Sequence, residues 1–152
     1  MARENKDASI LDGFRNRLTV NASYIASDTM QIQLSSVVAT EETKTNIQNN
    51  RDYSVNATIN KTFNAPFNLI KDPLSAGLSF GGSFREYAGA NPTIDPDTTR
   101  NDYTIRFSPS LTIPAGETIA ILISAGFTRV DSNIPNSEYD NMSLTIGISK
   151  QF

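Results

Sequence analysis

Apolar and polar residues alternate along most of this 152-residue chain, and this period of two most constrains its fold. Successive side chains of a β-strand point to opposite faces, so alternation indicates strands with one apolar and one polar face. Helical spacing between capping residues is not sustained in any window. The pattern predicts an all-β chain of seven strands, at residues 14–26, 29–39, 52–63, 77–87, 102–113, 118–130 and 139–152.

The strands and their connections both have unusual lengths. The strands are about 10 to 13 residues long, whereas soluble strands average five or six and a tilted membrane strand needs about 9 to 11. The connections at 27–28 and 114–117 are short, and those at 40–51, 88–101 and 131–138 are long and polar. Short turns at one end and long loops at the other are typical of transmembrane barrels. The connection at 64–76 is an exception, because it is long at the short-turn end.

The polar face distinguishes a barrel from a soluble β-sandwich, which also alternates but turns its apolar face inward. A water-facing sheet would carry many Lys, Glu and Asp residues. Here the face consists almost entirely of Ser, Thr, Asn, Gln and Gly, and its charges are arginines. The sequence therefore predicts a flexible segment at 1–13, then an antiparallel up-and-down transmembrane β-barrel at 14–152. The soluble sandwich stays as the alternative.

The composition removes several functional classes. The chain has no cysteine and no histidine, so it lacks thiolate ligands, the common imidazole metal ligand and the usual general base. We therefore expect no enzyme, no metal site and no cofactor. Its formal charge of −3 gives no basic footprint for nucleic acid, which we do not expect as a partner.

A weak repeat marks one end of the strands. "RDYSV" at 51–55 recurs as "NDYTI" at 101–105, and "EYDNMSL" at 138–144 is a looser copy. Each follows a long loop and opens a strand with tyrosine. A tyrosine ring can lie in lipid while its hydroxyl reaches water. The repeat therefore predicts one aromatic girdle containing Tyr53, Tyr103 and Tyr139.

The four polar-face arginines are predicted near the long-loop ends of their strands. They are Arg15, Arg17, Arg85 and Arg106. Gathered at a pore mouth, they would form a positive constriction that favours anions or acidic polysaccharide. The alternative is that they pair with loop carboxylates, such as those of Asp52, Glu86 and Asp102.

The strand pattern, the "DY" strand starts and the ending "YDNMSLTIGISKQF" resemble the C-terminal part of Gram-negative outer-membrane β-barrel proteins. In that family the last strand alternates apolar or aromatic residues, ends in Phe and is recognised by the barrel assembly machinery. The matching residues are Leu144, Ile146, Ile148 and Phe152, whereas Lys150 departs from the pattern. The resemblance implies an outer-membrane location, contact with membrane lipid or lipopolysaccharide, and a passive pore or export channel.

Two features complicate a closed barrel. Bacterial single-chain barrels have an even number of strands, so we expect an eighth strand, a larger barrel that includes this chain, or pairing with other copies. Pro109 lacks an N–H in mid-strand, which predicts a bulge or an unpaired site there. The alternative function is a soluble all-β surface or fimbria-like subunit that assembles by strand addition.

Overall fold

The computed structural model describes residues 13–65 and 71–150. They form one antiparallel sheet in which seven strands follow one another in chain order. The strands are β1 (Gly13–Ser27), β2 (Met30–Thr43), β3 (Asn50–Phe63), β4 (Leu74–Tyr87), β5 (Asn101–Pro114), β6 (Ile119–Ser132) and β7 (Tyr139–Lys150). Between β6 and β7 lies a single 3-10 turn at Pro135–Ser137. The all-β prediction and the up-and-down strand order are confirmed.

Most strands extend beyond the alternating segments that predicted them. β2 continues to Thr43, which pairs with Gly13 across the β1–β2 ladder. β4 begins at Leu74, inside the connection predicted at 64–76, and Leu74 pairs with Phe63. Backbone pairing does not require an apolar side chain, so polar ends of strands can join a ladder without any alternation in the sequence.

The sheet is open, so the prediction of a closed barrel is wrong for the described residues. Each strand pairs only with its sequence neighbours, and β1 and β7 are the two edges. The strand count explains this result. In an antiparallel meander of seven strands, the first and last strands run in the same direction. They therefore cannot close the sheet by an antiparallel ladder.

Pro109 interrupts one of its two ladders. It pairs with Leu78 on the β4 side, but the β5–β6 ladder stops at the pair Phe107–Phe127 and resumes at Ser110–Ser124. The offset between the strands is the same on both sides of the gap, so no extra residue is inserted. The structure thus has the unpaired site that the sequence predicted, and it has no bulge there. The predicted flexible segment 1–13 lies outside the described residues, except for Gly13.

Candidate functional site

The apolar face of the sheet is largely exposed, also in its interior strands. Val55 on β3 is 57% exposed, Phe80 on β4 is 56% exposed and Ile105 on β5 is 45% exposed, and all three lie on this face. The buried side chains Ala39 (3%) and Val130 (6%) lie on the opposite, polar face. A soluble monomer rarely exposes a continuous apolar surface of this size. The distribution of exposure is therefore the reverse of that in a water-soluble sheet with its own core.

The apolar surface forms a band between charged residues. On β3, Arg51 and Lys61 share this face ten residues apart, and the face positions between them carry no charge. On β7, Asp140 and Lys150 are also ten residues apart, with only Met142, Leu144, Ile146 and Ile148 between them on that face. Ten residues of extended strand span about 33 Å. We call this charge-free surface the apolar band.

The apolar band is slanted relative to the hydrogen-bonded rows of the sheet. At the long-loop end, the row that contains Asp140 meets β3 at Val55, four residues beyond Arg51. At the short-turn end, the row that contains Lys61 meets β7 at Ile146, four residues before Lys150. Both boundaries therefore shift by four residues over the four strand spacings between β3 and β7. A rise of about 3.3 Å per residue and a spacing of about 4.8 Å between strands convert this shift into an angle. The strands are inclined by about 35° to the line perpendicular to the edges of the apolar band.

An aromatic row borders the long-loop side of the apolar band. Tyr53, Phe84 and Tyr103 lie opposite one another on β3, β4 and β5. The ring centroids of Phe84 and Tyr103 are 4.7 Å apart. Phe84 was not among the predicted girdle residues, although its register is set by the same alternation. Tyr139 is misplaced in the prediction: it pairs with Val130 and lies on the polar face, so it does not belong to this row.

The four predicted arginines share the polar face, but the sheet does not gather them. Arg15 and Arg17 are exposed on the edge strand β1. Arg85 lies on β4, three strands and about 14 Å away, and donates hydrogen bonds to Asp52 Oδ2 from Nε at 2.9 Å and from Nη2 at 2.6 Å. For Arg85, the pairing interpretation is therefore confirmed. Arg106 lies on β5, in the row that crosses β4 at Gly81.

Arg85 and Arg106 meet at a small cavity near the long-loop end of the polar face. It measures about 120 Å³ and is lined by Ser83, Arg85, Arg100, Asp102, Thr104, Arg106, Val130 and Tyr139. The rim of this cavity combines charged, hydroxyl and phenol groups, and Asp102 and Thr104 are buried there. We call these eight residues the arginine cavity.

Arg100 is a member of the arginine cavity that the sequence analysis missed. Its Nε donates to Asp102 Oδ1 at 2.8 Å and its Nη2 lies 2.7 Å from Asp102 Oδ2, which is the two-pronged geometry that favours guanidinium–carboxylate pairs. This hydrogen bonding raises the pKa of Arg100 above its ordinary value, against the opposing effect of burial. The guanidinium also lies 5.0 Å from the ring centre of Tyr87. Arg100 is therefore firmly held beside Asp102.

The proposed assembly residues lie on an edge strand. Leu144, Ile146 and Ile148 share the exposed apolar face of β7, which has no partner strand on its outer side within the described sheet. Phe152 lies outside the described residues. Recognition of this strand by an assembly machinery stays a prediction.

In the described parts of the chain, there is no group of three or more His, Cys, Asp or Glu residues that could hold a metal ion. A helix long and apolar enough to cross a membrane does not occur in those parts either. Comparisons with protein-family models, with curated proteins and with solved structures give no significant match to this chain.

Proposed function

We propose that this sheet is part of the wall of an outer-membrane β-barrel that acts as a passive pore or export channel. Its apolar band would contact lipid, and its polar face would line the conduit. The observation that carries the proposal is the slant of the apolar band. A sheet whose apolar face is covered by another protein layer has no reason to shift both charge boundaries in the same direction and by the same number of residues.

The dimensions of the apolar band support this function. Strands of outer-membrane barrels tilt by about 35–45°, and their apolar band is about 25 Å tall. The tilt of about 35° reduces the 33 Å between charged residues to a height of about 27 Å. Tyr53 and Tyr103 stand at the long-loop boundary, where aromatic residues are enriched in such barrels. The aromatic girdle formed by Tyr53 and Tyr103 is therefore part of the same proposal as the contact between the apolar band and lipid.

The polar face has the properties of a lumen lining. Thr58 and Ser79 hydroxyls are 2.9 Å apart across β3 and β4, and Gln31 donates to Ser23 Oγ at 2.9 Å. These uncharged groups satisfy one another while leaving donors and acceptors available to water. A passive conduit needs such weak, replaceable interactions rather than tight binding sites.

Closure of this barrel requires further strands. Because β1 and β7 run in the same direction, a ring of copies around an axis normal to the membrane would place β7 of one copy beside β1 of the next in parallel. Transmembrane barrels of this class are antiparallel. An odd number of additional strands, one or more, restores antiparallel pairing at both edges. We therefore favour other barrel segments over identical copies as the closing partners.

The absence of cysteine from the sequence allows a direct test of the two faces. Single substitutions Val55→Cys and Ile59→Cys place a thiol on the apolar face of β3, and Asn56→Cys and Asn60→Cys place one on its polar face. In membranes isolated from producing cells, a charged maleimide should label the second pair and not the first. After denaturation in SDS all four variants should react, which is the control for thiol availability.

Two results would contradict the proposal. Equal labelling of all four thiols in membranes would contradict lipid contact. The second result concerns vesicles that contain the inserted protein and are placed in a solution of small sugars. If they swell no faster than vesicles without the protein, the pore is contradicted, whereas the barrel is not.

The unpaired edges favour a second candidate, the soluble all-β subunit that assembles by strand addition. Every residue of β1 is exposed, so its backbone edge can accept another strand. In that case the chain would be recovered without detergent, as an assembly whose apolar faces cover one another. Recovery only in the detergent-extracted membrane fraction would exclude this candidate.

A further inference from the structure

The arginine cavity carries an excess of positive charge. Three guanidinium groups line it, those of Arg85, Arg100 and Arg106. Two carboxylates offset them: Asp52 pairs with Arg85, and Asp102 pairs with Arg100. Among the described residues, one positive charge is left without a counter-charge, and it is that of Arg106.

Arg106 is positioned to meet a ligand. It is exposed, and it has no hydrogen bond or ion pair with any residue that the structure describes. Its row neighbours are Gly81 on β4 and Thr128 on β6, neither of which carries a charge. Asn56 occupies the space where a side chain at Gly81 would lie, so position 81 accepts no larger residue without displacing that amide. The guanidinium of Arg106 is therefore bordered by small, polar groups.

We propose that Arg106 binds a carboxylate group of a soluble acidic solute, such as a uronic acid, at the arginine cavity. A guanidinium presents paired N–H groups that match the two oxygens of a carboxylate. Tyr139 also lines the cavity, and its hydroxyl can act as a second donor. A single uncompensated charge suits a singly charged group, and about 120 Å³ is enough for such a group with its bound water.

The choice of a soluble solute over a lipid headgroup rests on the proposed function, since it assumes that lipid contacts the apolar band. Arg106 lies on the opposite face of the sheet from that band. A lipid headgroup would have to cross the wall to reach it. Carboxylate binding itself needs only the cavity, and it can be measured without any assay of conduction.

The test is a ligand-observed NMR titration of the full protein, purified in detergent if it is extracted from membranes, with D-glucuronate at constant ionic strength. Glucuronate should bind saturably, and neutral D-glucose should not. Arg106→Gln should weaken glucuronate binding by about tenfold or more, because it removes a charge-assisted hydrogen-bond pair. Arg106→Lys keeps the charge without the two-pronged geometry, so it should retain part of the affinity.

Arg15→Gln is the matched control, because it removes a guanidinium from the same face at the distant edge strand. It should leave binding unchanged. Circular dichroism of each variant should show the same strand content as the parent, as expected for substitutions at exposed positions.

Three results would overturn the assignment: unchanged binding in Arg106→Gln, equal loss in Arg15→Gln, or equal binding of glucose. The proposed function fails separately. A protein that binds glucuronate through Arg106 but is not inserted in membranes refutes the barrel wall and keeps the site. A protein that inserts but binds independently of Arg106 refutes the site and keeps the wall.

Discussion

The two faces of this sheet are made by the same strands, yet they differ in how their side chains are covered. On the apolar face, large side chains such as Val55 and Ile105 remain exposed in the interior strands β3 and β5. On the polar face, Ala39, Asp102 and Thr104 are buried at the long-loop end. Hydrophobic pattern and burial are thus separate properties here. The pattern selects which residues share a face, and the surroundings determine which face is covered.

This difference has an energetic meaning. In water, exposing an apolar side chain forgoes about 25 cal/mol for each Å² that could have been buried, so a sheet with one uncovered apolar face lacks the main source of folding free energy. Contact with lipid supplies that stabilisation from outside the chain. The polar face needs no such partner, since its ion pairs and hydroxyl contacts are formed within the sheet.

The largest effect is expected from a charge placed in the middle of the apolar band. Val20→Arg and Asn21→Arg introduce the same side chain at adjacent, exposed positions of β1, on opposite faces. In lipid, Val20→Arg should lower the free energy of unfolding by about 2–4 kcal/mol, whereas Asn21→Arg should change it by less than about 0.5 kcal/mol. Guanidinium-induced unfolding from vesicles measures both values. Similar small effects at the two positions would show that lipid does not contact the apolar band.

An intermediate effect is expected from ion pairs on the two faces. Asp52 is only 13% exposed and holds Arg85 on the polar face, whereas Asp131 is 48% exposed and pairs with Arg129 on the apolar face, beyond the band. Asp52→Ala leaves a half-buried guanidinium without its partner and should destabilise the protein by about 1–2 kcal/mol. Asp131→Ala should have no measurable effect, because exposed pairs contribute little.

A double-mutant cycle on Asp52 and Arg85 separates the pair from other consequences of each substitution. The coupling between them should exceed the coupling between Asp131 and Arg129. Equal couplings would mean that the polar face is no better shielded from solvent than the rim of the apolar face.

Strand identity and face assignment could be predicted from the sequence because both depend on a local period of two. Alternation located all seven strands, and it correctly placed Leu144 and Ile148 on one face. Sheet closure depends on the direction of the last strand relative to the first, which follows from strand count and not from local pattern. The odd count was visible in the sequence, but it could not show whether an eighth strand existed.

The arginine cavity was only partly predictable. Asp52 was named among the carboxylates with which the polar-face arginines would pair, and Arg85 pairs with it. Arg100 was overlooked because it lies just before β5, outside the alternating segment. Its side chain nevertheless reaches Asp102, two residues further along the chain, and donates a hydrogen bond to it. Tyr139 was misassigned by a motif. Tyr139 is five residues before Leu144, an odd number, so the alternation places it on the polar face. For this residue the alternation predicts the face correctly, whereas the shared "DY" or "EY" motif does not.

The smallest effect is expected from removing a single hydroxyl from each face. Tyr103 borders the apolar band, and Tyr139 lines the arginine cavity. Tyr139→Phe should weaken glucuronate binding by about two- to tenfold, because a neutral hydrogen bond contributes about 0.5–1.5 kcal/mol. Tyr103→Phe should leave that binding unchanged, since its hydroxyl is on the other side of the wall. Both variants should unfold within about 0.5 kcal/mol of the parent. If Tyr103→Phe weakened binding as much as Tyr139→Phe, the two faces would not be separate surfaces, and the division on which the barrel wall and the binding site both depend would fail.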